Sequence, residues 1–210
     1  MAPPDTGSIT AQKGKFRDMV NGKEVGSEEF NISSSGGGWL ARGNVSVHSA
    51  QGPETRITSQ LQLRADGAPI HYEWTTAAGP KRAGASIDFD NNGTATIHVQ
   101  QNGGKPFTQQ FFFKTPIVVV LDDNLYHQYA ILADLYDWSK KGVQTFSVLI
   151  PQEMMPGTVT AEALDPDNST GKNLDRLRVR SQDLEIVLYL DGSRLERVSV
   201  PSANAEIVRQ

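Results

Sequence analysis

The sequence predicts a mainly β protein: a curved antiparallel sheet of about a dozen strands, forming a half-barrel or open barrel, with one helix packed against its concave face. Three observations predict it. Short runs of alternating apolar and polar residues recur along the chain, separated by Gly, Asn, Asp and Pro clusters at intervals of about 8–12 residues, the spacing of an antiparallel meander. Tight-turn dipeptides, Asn21-Gly22 and Asp191-Gly192, sit between such runs. One stretch, 122–142, abandons the two-residue period for a helical one.

Residues 1–14, MAPPDTGSITAQKG, are rich in Pro, Gly, Ser and Thr without an apolar period and read as a flexible lead-in, so the single β domain is expected over 15–210. Residues 16–20 and 24–32 form the first hairpin around Asn21-Gly22, which supplies the positive φ angles of a type I′ turn. Strands follow at 39–47, 55–63 and 69–76. The second alternates cleanly, with Ile57, Ser59, Leu61 and Leu63 on one face and Arg56, Thr58, Gln60 and Gln62 on the other, so one face is buried and one is wet. The turn ADGAP at 65–69 leads into a strand on which Ile70, Tyr72 and Trp74 share a face, and DNNG at 90–93 joins 85–89 to 94–100. The run 106–120 continues the meander, with Pro116 at an edge or bend because proline cannot donate to a ladder. Beyond the helix, strands are expected at 144–150, 158–164, 174–180, 184–190 and 194–200, with Leu184, Ile186, Leu188 and Leu190 on one face.

The helix is expected near 123–139. Leu125, Tyr129, Leu132 and Tyr136 recur at i, i+4, i+7 and i+11 and form a stripe that should face the concave side of the sheet. Asp122 or Asp123 suits the N-cap, and Lys140, Lys141 and Gly142 suit the C-terminal end. At about 100° per residue, His127 and Asp134 fall nearly opposite the stripe and are expected on its outward side. They lie about 10 Å apart along the axis, too far for one metal ion, which needs i, i+3 or i, i+4 spacing on a helix.

Composition removes several function classes. The 210 residues carry 20 Lys+Arg against 24 Asp+Glu, and a formal charge of −4 gives no basic field for nucleic acid or anionic lipid headgroups. The absence of cysteine excludes disulfides, thiol nucleophiles and zinc–thiolate sites. The apolar run 117–121 is far short of the ~20 residues that span a bilayer, so no transmembrane segment is expected. There is no G-x-S-x-G elbow, H-E-x-x-H pair, Walker loop or Rossmann fingerprint; GSEEF at 26–30 and SSSGGGW at 33–39 hold the right letters in the wrong order. SIDFDNNGT at 86–94 has calcium-loop letters without the closing glutamate and is better read as a hairpin. His48, His71 and His98 sit on separate strands and read as rim residues. No catalytic residue, metal set or cofactor is therefore expected, and the protein reads as a non-enzyme.

What stands out is the aromatic set, including Trp39, Tyr72, Trp74, Phe89, Phe111 to Phe113, Tyr126, Tyr129, Tyr136 and Trp138. Such residues can fill a core, or they can wall an apolar cleft that one helix leaves open in a curved sheet. For a cleft, the expected lining is Tyr72 and Trp74 from one strand, Phe111 and Phe113 from another, and Tyr129 from the helix; alternation gives each strand pair a shared sheet face, taken to be the one toward the helix, with Phe112 pointing away.

The segments FRDMVNGKEVGSEEFNI at 16–32, LQLRADGAPIHYEW at 61–74 and LEIVLYLDGSRLERVSVPSANAEIVR at 184–209, with the helix between, resemble bacterial exported domains of unknown function. Those domains are similar to the half-barrel sheets of periplasmic lipoprotein carriers. The resemblance implies a periplasmic or otherwise exported protein that binds an apolar, lipid-like ligand between sheet and helix. Met1-Ala2-Pro3-Pro4 fits an ordinary start, or a mature chain from which an export signal has been removed. A related ending occurs ahead of α/β-hydrolase domains, which implies the alternative of a structural or accessory interaction module with a filled core.

Overall fold

The computed structural model describes residues 8–48, 52–101, 105–169 and 171–210. Asn21 and Gly22 adopt φ 50 and 74, the left-handed pair a type I′ turn requires, and they reverse the chain between β1 (Gln12–Val20) and β2 (Lys23–Ser35). From there the chain meanders through β3 (Gly38–Val47), β4 (Thr55–Leu63), β5 (Pro69–Ala78), β6 (Lys81–Phe89), β7 (Thr94–Gln101) and β8 (Phe107–Phe112). A second meander follows the helix: β10 (Gln144–Ile150), β11 (Met155–Asp167), β12 (Leu174–Arg180), β13 (Glu185–Asp191), β14 (Arg194–Val200) and β15 (Ala205–Arg209). Between the two lie β9 (Val118–Val120) and α1 (Gln128–Leu135).

All fifteen strands form one sheet, in the order β8-β7-β6-β5-β4-β3-β2-β1-β15-β14-β13-β12-β11-β10-β9. The curved, mainly antiparallel sheet with one helix is as the sequence predicts, with more strands than the dozen expected. The extra strands have identifiable origins. The run 106–120 splits at Pro116 into β8 and β9, which occupy opposite ends of the strand order. The C-terminal β15, reached through a tight turn at Pro201–Ala203 and Asn204 with φ 47, inserts between β14 and β1 and joins the two meanders. β9 pairs parallel with β10, whereas the other described pairings are antiparallel.

This order forces the sheet to roll. Strands spaced about 4.8 Å apart would put the two ends of a flat fifteen-stranded sheet roughly 65 Å apart. The chain from Phe112 at the end of β8 to Val118 at the start of β9 can reach at most about 20 Å. The sheet must therefore curl until its ends lie within about 20 Å of each other, and β9 lies against β5. Its three valines are buried.

Alternation holds where the sequence shows it best: Ile57, Ser59, Leu61 and Leu63 of β4 are all buried. It fails at Ile70. The β4–β5 register shifts between Gln62↔His71 and Leu63↔Pro69, a bulge that turns Ile70 outward while Tyr72 and Trp74 stay buried. Of the expected lead-in 1–14, residues 1–7 lie outside the described residues, Ile9 packs in the core and β1 begins at Gln12.

The helix is shorter than its predicted span and enclosed by the rolled sheet. Leu125, Leu132 and Tyr136 are fully buried and Tyr129 is half-buried, as the stripe predicts. The opposite side is buried too, which corrects the expected outward position of His127 and Asp134: they are 0% and 3% exposed. Helical period identifies a side that packs; here the rolled sheet leaves no side wet. Neither Asp122 nor Asp123 caps α1, whose N-cap His127 has no side-chain cap bond. The imidazole lies on β3, where a Cβ on Gly43 would sit 2.7 Å from His127 Cε1 and 2.9 Å from Leu125 Cδ2, so only glycine leaves room. The ring also stacks on Phe30, the cross-strand partner of Gly43, with centroids 5.8 Å apart.

Gly43→Ala is expected to cost about 1–3 kcal/mol by overpacking, and His127→Ala about 3–5 kcal/mol because it strips a buried carboxylate of its partner. Urea denaturation of both single variants and the double variant should give a coupling of more than about 0.5 kcal/mol, with Gly43→Ala less harmful once the imidazole is gone. Additive costs would mean that the ring does not rest on Gly43.

Candidate functional site

Glu28 is where the sheet and the helix segment join. Alternation on β2 places it inward beside Phe30 and Ile32, and it is 0% exposed. Its Oε2 accepts the backbone N–H groups of Tyr126 at 2.9 Å and His127 at 3.2 Å, and Oε1 lies 2.5 Å from His127 Nδ1. A side chain from a strand thus satisfies the N–H groups of the N-cap residue and the one before it and favours the helix's positive end, while the first helical N–H groups, Gln128 to Ala130, donate to the carbonyls of Leu125 to His127. Nε2 of His127 is buried without a hydrogen-bond partner among the described residues. Asp18, diagonal to Glu28 on β1, is buried with Oδ1 equally unpartnered, and burial, with Glu28 and Glu24 adding repulsion, pushes its carboxyl up to about 7.

Two more aspartates anchor the same segment. Asp122, directly after β9, accepts hydrogen bonds from Tyr72 Oη at 2.7 Å and from the Gln152 amide at 2.9 Å. Gln128 reaches back to accept from the Asp122 amide at 2.6 Å. At the far end of α1, Asp134 accepts from the Thr10 amide at 2.7 Å and pins the N-terminal segment across the helix. Burial raises Asp122 to about 6 and Asp134 to about 7. Glu28 and His127 are both fully buried. Among the described residues, no three His, Cys, Asp or Glu side chains converge to hold a metal ion.

The enclosed space lies beside this segment. A cleft of about 270 Å³ opens between the start of α1 and the concave face of the second meander. Its floor is aliphatic and crosses five neighbouring strands, with Val148 and Ile150 from β10, Val159 from β11, Val179 from β12, Ile186 from β13 and Val200 from β14. Tyr126 and Tyr129 line the helix side, and Asp122, Asp123, Asn124 and Ser181 contribute the polar lining. Desolvation raises both tyrosine hydroxyls well above their usual range. A larger hollow of about 650 Å³ lies at the turns around 35–40 and 62–66, but its walls include the turn glycines Gly36 and Gly37 and it lies outside the sheet–helix interior.

Of the five residues expected to line a cleft, Tyr129 does. Tyr72 is fully buried and spends its hydroxyl on Asp122; Trp74 is buried beside it on β5. Phe111 and Phe113 are half-buried against the core near the β8 end of the sheet. The structure therefore brings Tyr129 together with valines and isoleucines rather than with the other aromatics. Glu28 and Asp18 were not singled out by the sequence, although the signal was present: each sits two residues from a phenylalanine on a strand, an acid on an apolar face.

The fold is similar to that of β-barrel-like proteins of unknown function. A β-barrel-like protein of the domain of unknown function DUF1849 from Brucella abortus superposes with a TM-score of 0.60 at 9% identity, over 97% of this chain and 96% of that one. A DUF1089 family protein from Pseudomonas aeruginosa gives 0.52 at 11% identity, over 84% of this chain and 90% of that one. No protein-family profile matches the sequence, and no curated protein matches it.

Because Asp18, Asp122 and Asp134 hold protons more tightly in the fold than in the unfolded chain, they make the fold less stable as pH rises from about 4 to about 7. Asp18→Asn is expected to raise stability at pH 8 by on the order of 2 kcal/mol, with the gain shrinking toward pH 4. Urea midpoints at pH 4, 6 and 8 check this; a gain independent of pH would remove Asp18 as its source.

Proposed function

We propose that the protein binds an apolar small molecule in the cleft between the start of α1 and strands β10 to β14, and that it acts as a binder rather than an enzyme. The observation that carries this is the aliphatic floor: five adjacent strands each point a branched side chain into space that the helix does not fill. Binding clefts are predominantly apolar with few polar groups, and about 270 Å³ lies near the lower end of their usual size, suited to one chain rather than a bulky lipid. The sequence resemblance to exported domains and half-barrel carriers supports a periplasmic carrier or sensor. A second reading, the accessory interaction module, is favoured by β8. This terminal strand exposes Phe112 at 78% and Phe107 at 41%, the kind of edge that another protein can cover.

The neutral dye N-phenyl-1-naphthylamine should bind saturably with enhanced emission. Ile186→Trp, which fills the floor, should weaken binding at least tenfold in a protein of unchanged circular dichroism, and Tyr129→Ala should weaken it several-fold. Absence of saturable binding, or binding untouched by Ile186→Trp, would leave the interaction module in front.

A further inference from the structure

The polar lining of the cleft carries one sign of charge. Asp122 and Asp123 line it with Asn124 and Ser181, and no lysine, arginine or histidine is among its lining residues. Asp122 is committed to Tyr72 and Gln152. Asp123 is different: it is exposed, and its carboxylate accepts no hydrogen bond from a described residue. Partial burial and the neighbouring Glu153 both raise its pKa, which means that negative charge in this place lacks a compensating partner. Tyr126 and Tyr129 add aromatic rings on the same side. An unpaired carboxylate beside two tyrosines, next to an aliphatic floor, complements a cation carried on an apolar chain, through charge pairing and attraction to the ring faces.

Resting on the binding function proposed above, we infer that the occupant is a single-chain amphiphile with a cationic, ammonium-type head held at Asp123, its chain lying along Val159, Val179 and Ile186. An anionic head, such as that of a fatty acid, meets Asp122 and Asp123 with no cation among the lining residues to offset them and is disfavoured. The charge at the lip sets the head; the floor sets the chain.

Displacement of N-phenyl-1-naphthylamine by dodecylamine, dodecanol and dodecanoate, each below its micellar concentration at pH 7.5, tests this. Dodecylamine should displace the dye at a concentration at least tenfold lower than dodecanoate, with dodecanol between, and the preference should shrink at high salt. Asp123→Asn, at an exposed position, should bring the amine and the alcohol together, and Asp123→Lys should reverse the order. Dodecanoate equal to or better than dodecylamine, or an amine preference unchanged in Asp123→Asn, would overturn the assignment of the head while leaving the cleft standing. Failure of all three chains to displace the dye would overturn both the head and the chain-binding cleft.

Discussion

The backbone that leads into a helix enclosed in a rolled sheet must find partners for its N–H groups without water, and here Glu28 supplies two of them. Each of those donors would be costly to bury unpaired, by about 1–3 kcal/mol. One carboxylate answers two of them, and its other oxygen meets the imidazole that packs on Gly43. The position of the 121–127 segment follows from this contact. So does the position of α1, and with it the division of the interior into a filled half and a partly open one.

The two halves differ in the side chains they offer. The first meander points Phe16, Phe30, Tyr72 and Trp74 inward, and Phe16 and Phe30 stack with centroids 4.9 Å apart. The second meander offers Val148, Val159, Val179, Ile186 and Val200. With the helix segment fixed against β2, β3 and β5 by Glu28, Gly43 and Tyr72, large aromatics fill the space on that side. The smaller aliphatic chains opposite do not reach across the remaining gap. The cleft is therefore a consequence of side-chain size on one half of the sheet combined with a helix anchored to the other.

The sequence makes the strands legible because a strand carries its own period, as β4 does through Ile57, Ser59, Leu61 and Leu63. It makes the helix legible through Leu125, Leu132 and Tyr136. Enclosure is a different kind of property. Nothing within 122–142 reveals that a sheet of fifteen strands curls around it; that follows from β8 and β9 lying at opposite ends of the sheet, a fact hidden while 106–120 reads as one continuous run. His127 and Asp134 look outward on a helical wheel and are buried for this reason. The cleft was only partly legible. Aromatic residues draw attention in a sequence, and Tyr129 does line the space, whereas isolated valines and isoleucines on five strands carry no signal until the register aligns them.

Asp122 ties the cleft to the scaffold. It lines the open space, and it also holds Tyr72 of β5 and the backbone of Gln152 at the end of β10. Those two elements belong to different meanders, brought together where the sheet rolls closed. A ligand of the proposed kind would touch the same segment that spans them, and any preference it had for the closed form over an opened one would stabilise closure by RT ln(1 + [L]/Kd). The apolar floor can vary in detail without disturbing this linkage, because it contributes contact area alone. Asp122 cannot, since its oxygens are shared between the cleft wall and the joint of the fold.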